Sequence, residues 1–231
     1  MIPSRRVFLT GGTGYLGSRL AAELVRRSHH VRALARPGSE SRLPSGVTPV
    51  LGNALDHQSY AAQVPPADTL VHLIGVPHPS PAKAAQFRSV DLASAREAVQ
   101  AATNAKVSHF VYVSVAHPAP VMTAYWTARA EAEGLIREAG LTATILRPWY
   151  VLGPGHRWPV LLRPLYWIAE RIPATRDGAR RLGLVAVQQM VATLVWAVEH
   201  PASGIRALSV ADIRRGSAGG VNPQPAPGPP Q

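Results

Sequence analysis

Cysteine is absent from this chain. That removes disulfides, thiolate nucleophiles and cysteine-type zinc sites, and it fits a reducing compartment. Lysine is nearly absent as well: of 24 basic residues only Lys83 and Lys106 are lysines. The formal net charge is still +11, carried by scattered arginines. No dense basic run with interleaved aromatics occurs, which argues against a nucleic-acid site and for a solvated basic surface. Long apolar runs are missing too. The stretch 158–172 is broken by Arg163, Pro164 and Glu170, and the stretch 182–198 carries Gln188 and Gln189. Neither offers the roughly 18 uninterrupted apolar residues of a membrane span. The N-terminus lacks an apolar signal region with a cleavage site, so the expected location is cytoplasmic. The nine histidines include no H-x-x-x-H or H-E-x-x-H pair, and no metal site is expected.

At 231 residues the chain can bury a substantial core and suits one large α/β domain. Val7-Phe8-Leu9 is an apolar run ending in a glycine loop, the pattern of a buried strand. Leu16, Leu20, Leu24 and Val25 recur at helical spacing and predict a helix over 15–28. Further strands are expected at 30–35, 47–51, 69–74, 110–114 and 142–146, and helices over 82–105 and 123–139. Asp56 is placed to cap a short helix, and Gly140 stands where a C-terminal helix glycine belongs. Pro77, Pro79 and Pro81 read as a loop. Strands alternating with helices predict an α/β doubly wound parallel sheet, the Rossmann fold, with right-handed crossovers. The domain is expected over 1–215, with about 148–213 forming a short substrate-side extension. From Gly216 to Gln231 the chain is rich in proline and glycine. It has too little apolar surface to offset its ordering entropy, so a disordered tail is expected.

The loop Gly11-Gly12-Thr13-Gly14-Tyr15-Leu16-Gly17 lies between the first strand and the amphipathic helix. A dinucleotide pyrophosphate needs backbone N–H groups at a helix N-terminus with nothing bulky in the way. Gly11 suits the tight turn, Gly14 lets the backbone approach the phosphates, and Gly17 allows the helix to pack closely on the strand. A glycine pattern alone is weak evidence. Its place between strand and helix, with a second strand following, points to a nicotinamide dinucleotide. NAD-selective sites usually carry a carboxylate at the end of the second strand, for the ribose 2′-hydroxyl. Here stand Ala35 and Arg36. Arg36 is able to bind a 2′-phosphate bidentately, so NADP is expected, with NAD as the alternative.

The segment Thr10–Gly17 resembles the extended and atypical short-chain dehydrogenase/reductase superfamily, in particular its NAD(P)H-binding, NmrA-like and complex I accessory subunit-like members. NAD-dependent epimerases and dehydratases are related. The resemblance spans roughly 5–213. It includes Val31-Arg32-Ala33-Leu34-Ala35-Arg36, Gly52-Asn53, His72-Leu73-Ile74-Gly75, Val113-Ser114, Tyr125-x-x-x-Arg129, and Leu146-Arg147-Pro148 leading to Gly153-Pro154-Gly155. It implies cofactor contacts at Gly11, Thr13, Gly14, Tyr15, Leu16, Gly17, Arg36, Asn53, Ala54, Gly75, Arg147 and Pro148. Asn53 stands where an aspartate commonly meets the adenine amino group.

The same resemblance implies catalysis by a Ser, a Tyr and a Lys: Ser114 orients the substrate oxygen and Tyr125 exchanges a proton with it. The lysine position holds Arg129, one helical turn from Tyr125. A guanidinium supports a nearby tyrosinate by charge and donates to ribose hydroxyls, but it does not relay a proton. The expected function is that of an oxidoreductase or epimerase-like enzyme. Hydride would pass to or from a small carbonyl, hydroxyl or quinone-type substrate. The alternative is a non-catalytic NADP(H)-binding regulator or assembly subunit. Trp149, Tyr150, Trp158, Tyr166 and Trp167 give the substrate side an aromatic character, more that of core or lid than of a specific box. The substrate is not legible, and self-association is compatible with the pattern.

Overall fold

The computed structural model describes residues 3–154 and 182–216. In chain order its strands are β1 Arg6–Thr10, β2 His30–Ala35, β3 Thr48–Leu51, β4 Thr69–His72, β5 His109–Val113, β6 Ala143–Leu146, β7 Tyr150–Leu152, β8 Leu184–Ala186 and β9 Ile205–Leu208. Seven of them form one sheet in the order β3-β2-β1-β4-β5-β6-β9, and all neighbours run parallel. β7 and β8 pair separately. The principal helices are α1 Tyr15–Arg26, α2 Ala93–Asn104, α3 Thr123–Glu138, α4 Val187–Glu199 and α5 Val210–Arg215.

Strand residues are apolar on both sides because helices cover both faces of the sheet. Along β1, Val7 and Leu9 join one core with Leu20 and Leu24 of α1 and Leu194 and Val198 of α4. Phe8, between them, points the other way, into a core with Ala98 of α2 and Ala132 and Ile136 of α3. This is the two-residue alternation of a strand serving two helical layers. The strand order reverses between β1 and β4, and ligands of open parallel sheets bind at such switch points, beyond the C-terminal strand ends. Both the glycine loop and the segment after His72 emerge there.

Several local expectations hold. Asp56 accepts from the Gln58 N–H and caps the 3₁₀ turn His57–Ser59. Gly140 lies at φ +66 beyond the end of α3. Others are refined. Pro81 opens a 3₁₀ turn, Pro81–Lys83, at a position where its missing N–H costs nothing. The expected helix over 82–105 is interrupted: a π-helical stretch, Phe87–Leu92, precedes α2. β9 and the β7–β8 pair have no clear signal in the sequence. Gln189, in the first turn of α4, accepts the Ala186 N–H at 3.0 Å and so caps that helix. Gly155, Trp158, Tyr166, Trp167 and the tail beyond Gly216 lie outside the described residues. Gly216 itself closes α5, its N–H bonded to Asp212 O at 2.8 Å. Among the described residues no helix is long and apolar enough to cross a membrane.

Candidate functional site

The three motif glycines have separate physical reasons. Gly11 sits at φ +80 in direct contact with the segment after β4. A Cβ there would lie 3.0 Å from the Leu73 carbonyl carbon and 3.2 Å from Ile74 N. Gly17 packs α1 onto the turn, since a Cβ would collide with Gly11 O. Gly14 differs from both. Its backbone is ordinary extended chain, φ −84 and ψ 176, and its residue is exposed. A Cβ would meet only Gly11 O, at 3.2 Å. The protein's own packing therefore asks little of Gly14, and the bare position faces outward at the start of α1.

Gly14 donates to Gly11 O at 3.0 Å and accepts from Ser18 N–H. Among the described residues no side chain caps α1, and no acidic residue stands in its first turn. A helix leaves its first N–H groups without intrahelical acceptors, and its N-terminus carries partial positive charge. This open cradle fits a dinucleotide pyrophosphate. Thr13 O accepts from Arg42 Nη2 at 3.4 Å. The Tyr15 ring lies under the Arg19 guanidinium, 4.1 Å from its centroid, and its hydroxyl occupies the space a side chain on Gly153 would need. Leu16 packs against the core on the α1 side of the sheet.

Arg36 follows β2 directly and is exposed; its carbonyl accepts the Ser39 N–H at 2.9 Å, and its guanidinium has no hydrogen bond or ion pair among the described residues. Asn53 is exposed in the turn after β3, where its Oδ1 accepts the Leu55 N–H at 3.0 Å and its own N–H bonds Ser59 Oγ. The side chain thus shapes the turn that carries Ala54, and one lone pair of its oxygen is already engaged.

Ser114 continues from β5 and is buried, its N–H bonded to Leu146 O at 2.8 Å. Among the described residues its hydroxyl makes no hydrogen bond of good geometry, although it lies near enough to Glu133 to favour that carboxylate's charge. A buried polar atom without a well-formed hydrogen bond is uncommon in folded proteins. Tyr125 stands near the start of α3, after Met122, which adopts the left-handed region at φ +59. The Tyr125 ring packs on Phe87 with centroids 4.9 Å apart. Together with Pro81, Met122, Thr123 and Ala124 these two rings line a shallow depression.

Arg129 comes to the same place from one turn further on, with its guanidinium carbon 5.5 Å from the Tyr125 ring centroid. The group points inward. Nη2 pairs with Asp91 Oδ1 at 2.6 Å, and Nη1 donates to Val113 O at 2.9 Å and to the Tyr112 hydroxyl at 3.4 Å. Gly75 makes this arrangement feasible, because any side chain there would strike Arg129 Nη2. Burial pushes the Asp91 carboxyl up from its ordinary value, while the Arg129 charge and the Val76 N–H push back. Burial also opposes the charge on Arg129, but Tyr112, Tyr125 and Asp91 more than compensate and hold it above its ordinary value. At 2.6 Å from a cation that does not release its proton, the pair is ionised.

Arg147 follows β6 directly and turns toward α3, where Nε donates to Glu133 Oε1 at 2.9 Å and Nη2 to Oε2. Arg137 and His117 also reach this carboxylate, at 3.0 and 3.2 Å. Burial alone would raise Glu133, but the His117 and Arg147 hydrogen bonds and the Arg147 charge hold it far below the usual carboxylate range. Pro148 O accepts the Ala116 N–H at 2.8 Å, which ties the end of β6 to the segment after Ser114. Sequence reasoning missed Asp91, Glu133 and His117. For Asp91 the available signal was a single carboxylate in the otherwise apolar run Val90-Asp91-Leu92-Ala93.

A buried polar chain underlies the site. His72 Nδ1 meets Thr10 Oγ1 at 2.8 Å, and Nε2 meets Ser94 Oγ at 3.4 Å. Burial, with a smaller push from Arg129, lowers His72 to about 3. His109 is lowered to about 4, by burial first and then by Arg206 and Arg5. Well above pH 6.5 both are neutral whether folded or unfolded, and stability is unaffected by them. Below it the unfolded chain takes up protons that the folded chain refuses. Each histidine should then remove about 1.4 kcal/mol of stability per pH unit until its folded value is reached. Denaturant midpoints measured from pH 7.5 to 5 should fall accordingly, and His72→Gln should make that slope distinctly shallower. An unchanged slope in this variant would show that His72 is protonated in the folded protein.

A family model described as NAD(P)H-binding matches residues 11–157. The chain is 28% identical over 170 residues to a 4-hydroxy-2-methyl-3-oxo-4-farnesyl-3,4-dihydroquinoline-1-oxide ketoreductase of Stigmatella aurantiaca, covering 64% of this chain and 51% of the relative. It is 28% identical over 218 residues to a ceramide reductase of Caulobacter vibrioides, covering 90% of this chain and 65% of the relative. The chain thus spans between half and two thirds of the length of these curated relatives. Other curated relatives carry reductase, dehydrogenase and epimerase names. Among solved structures, the enzyme WbmH of Bordetella bronchiseptica, in complex with NAD+, superposes with a TM-score of 0.68 at 22% identity, over 90% of this chain and 76% of that one. At that identity the superposition establishes the shared fold.

Proposed function

Because this chain belongs to the NAD(P)H-binding family, we propose that it is an NADP(H)-dependent oxidoreductase or epimerase-like enzyme of the short-chain dehydrogenase/reductase superfamily. Its substrate would be a small carbonyl, hydroxyl or quinone-type compound, a class consistent with the ketoreductase and ceramide reductase names of its relatives. The observation that carries this reading is the buried Ser114 hydroxyl without a well-formed hydrogen bond, at the C-terminal edge of the sheet beyond β5. When bound, the dinucleotide supplies or accepts the hydride. The first turn of α1 and Gly14 would hold its pyrophosphate. Ser114 donates to the substrate oxygen and orients it. The Tyr125 hydroxyl gives that oxygen a proton in reduction and takes one in oxidation. Arg129 contributes fixed positive charge beside the Tyr125 ring. The test is carbonyl-dependent NADPH oxidation by the purified protein across a panel of ketones, aldehydes and quinones. Cofactor binding without turnover on any of them would defeat the enzymatic reading.

A second reading, a non-catalytic NADP(H)-binding regulator or assembly subunit, is favoured by one specific observation. Arg129 is committed to Asp91 and Val113 O and so is not extended toward a ribose.

The preference for NADP rests on Arg36, exposed and with a guanidinium that has no partner among the described residues. Arg36→Ala should weaken NADPH binding by on the order of 1.5–3 kcal/mol, the value of a hydrogen bond between charged groups. NADH binding should be nearly unaffected. Titrating both cofactors into both proteins decides the matter: an equal loss for the two would mean that Arg36 does not read the 2′-phosphate.

A further inference from the structure

The π-helical stretch Phe87–Leu92 meets both members of the Tyr125–Arg129 pair. Phe87 packs on the Tyr125 ring, and Asp91 pairs with Arg129. Such stretches are rare, and they often occur at functional sites. Asp91 is fully buried, and its two oxygens face different parts of the fold. Oδ1 takes Arg129 Nη2 at 2.6 Å, and Oδ2 takes the Val76 N–H at 2.9 Å. Val76 closes the segment that begins with Leu73 and Ile74, the residues lying against Gly11 of the glycine turn. A second tie runs parallel to the first: Thr10 to His72, His72 to Ser94, and Ser94 Oγ to Asp91 O at 3.2 Å.

We propose that Asp91 is a positioning residue. It joins the segment beside the glycine turn to the helix that carries Tyr125, so that cofactor affinity and the placement of Arg129 over Tyr125 depend on one carboxylate. The proposal rests on the enzymatic reading above only for its turnover half. Its binding half stands on the contact between Gly11 and the 73–76 segment.

The two oxygens can be tested separately. Asp91→Asn keeps an acceptor for the Val76 N–H but removes the charge that holds Arg129. Asp91→Ala removes both. Asp91→Asn should bind NADPH nearly as the wild type does, and its loss should appear in kcat rather than KM. Asp91→Ala should in addition bind NADPH about tenfold more weakly, the effect of one lost anchoring hydrogen bond to a charged acceptor. A buried arginine without its charged partner endangers folding. The same comparison is therefore made with Arg129→Met added to each variant, which leaves no buried charge. Asp91→Ala/Arg129→Met should then bind NADPH about tenfold more weakly than Asp91→Asn/Arg129→Met, with both folded by circular dichroism. Equal NADPH affinity in these two doubles would overturn the proposal, because a merely structural carboxylate would not distinguish them. If the wild type turns nothing over, the enzymatic reading fails while this binding comparison still decides the anchoring role.

Discussion

Tyr125→Phe is expected to lower kcat for carbonyl-dependent NADPH oxidation by about 10²–10⁴-fold, the usual contribution of a positioned general acid. NADPH affinity and thermal stability should hardly change. The expectation follows from how the ring is held. Tyr125 is half-buried, with Phe87 at 4.9 Å on one side and the Arg129 guanidinium at 5.5 Å on another. A phenylalanine ring keeps those contacts, so only the hydroxyl is lost. Ser114 remains to orient the substrate oxygen but has no comparable route for the proton, since the nearby Glu133 is engaged by Arg147, Arg137 and His117. The loss should therefore fall on kcat, with KM for the carbonyl changing little. Steady-state kinetics of wild type and variant under one set of conditions, with NADPH binding measured separately, gives the answer. Turnover that survives the substitution would eliminate Tyr125 as the acid.

Gly14→Val should abolish detectable cofactor binding while the protein remains folded. The backbone at Gly14 is extended, φ −84 and ψ 176, a conformation that β-branched residues readily adopt. Its nearest obstacle to a Cβ is Gly11 O at 3.2 Å, which a small local shift relieves. The added isopropyl group would stand over the start of α1, where the pyrophosphate approaches. A loss on the order of 100-fold or more in affinity, about 2.7 kcal/mol, is expected. Gly17→Ala is the informative contrast. Its Cβ would strike Gly11 O, so this smaller change should damage the fold itself. Circular dichroism and cofactor titration of both variants separate the two roles. A folded Gly14→Val protein with undiminished NADPH affinity would mean that the loop is a turn and not a phosphate cradle.

Much of the frame was legible along the chain. Six of the seven strands of the main sheet, both long helices flanking β5 and the cap at Asp56 follow from periodicities of two or 3.6 residues and from turn chemistry. The reasons assigned to Gly11 and Gly17 also reappear in three dimensions, as a positive φ and a close helix–strand approach. β9 was not legible. It is four residues long, contains Arg206, and becomes a strand only because β6 offers it a free edge. The π-helical stretch was hidden for a related reason: an alanine-rich sequence is compatible with an unbroken α-helix, and what selects the wider turn is the inward seating of Asp91 and Phe87.

Arg129 shows where the division falls. The sequence by itself determined that a cation stands one helical turn after Tyr125, and that the glycine spacing opens a helix N-terminus toward an anion. Those are short-range facts of helix geometry and chain stiffness. Only the tertiary structure decided where the guanidinium goes. Its partners are Asp91, 38 residues earlier, and Val113 O, 16 residues earlier, and the room it needs is left by Gly75. A long charged side chain has many rotamers within reach, and local sequence does not rank them. The ranking comes from burial, which makes an unpaired charge so costly that the arginine settles where a buried carboxylate and a backbone carbonyl accept it.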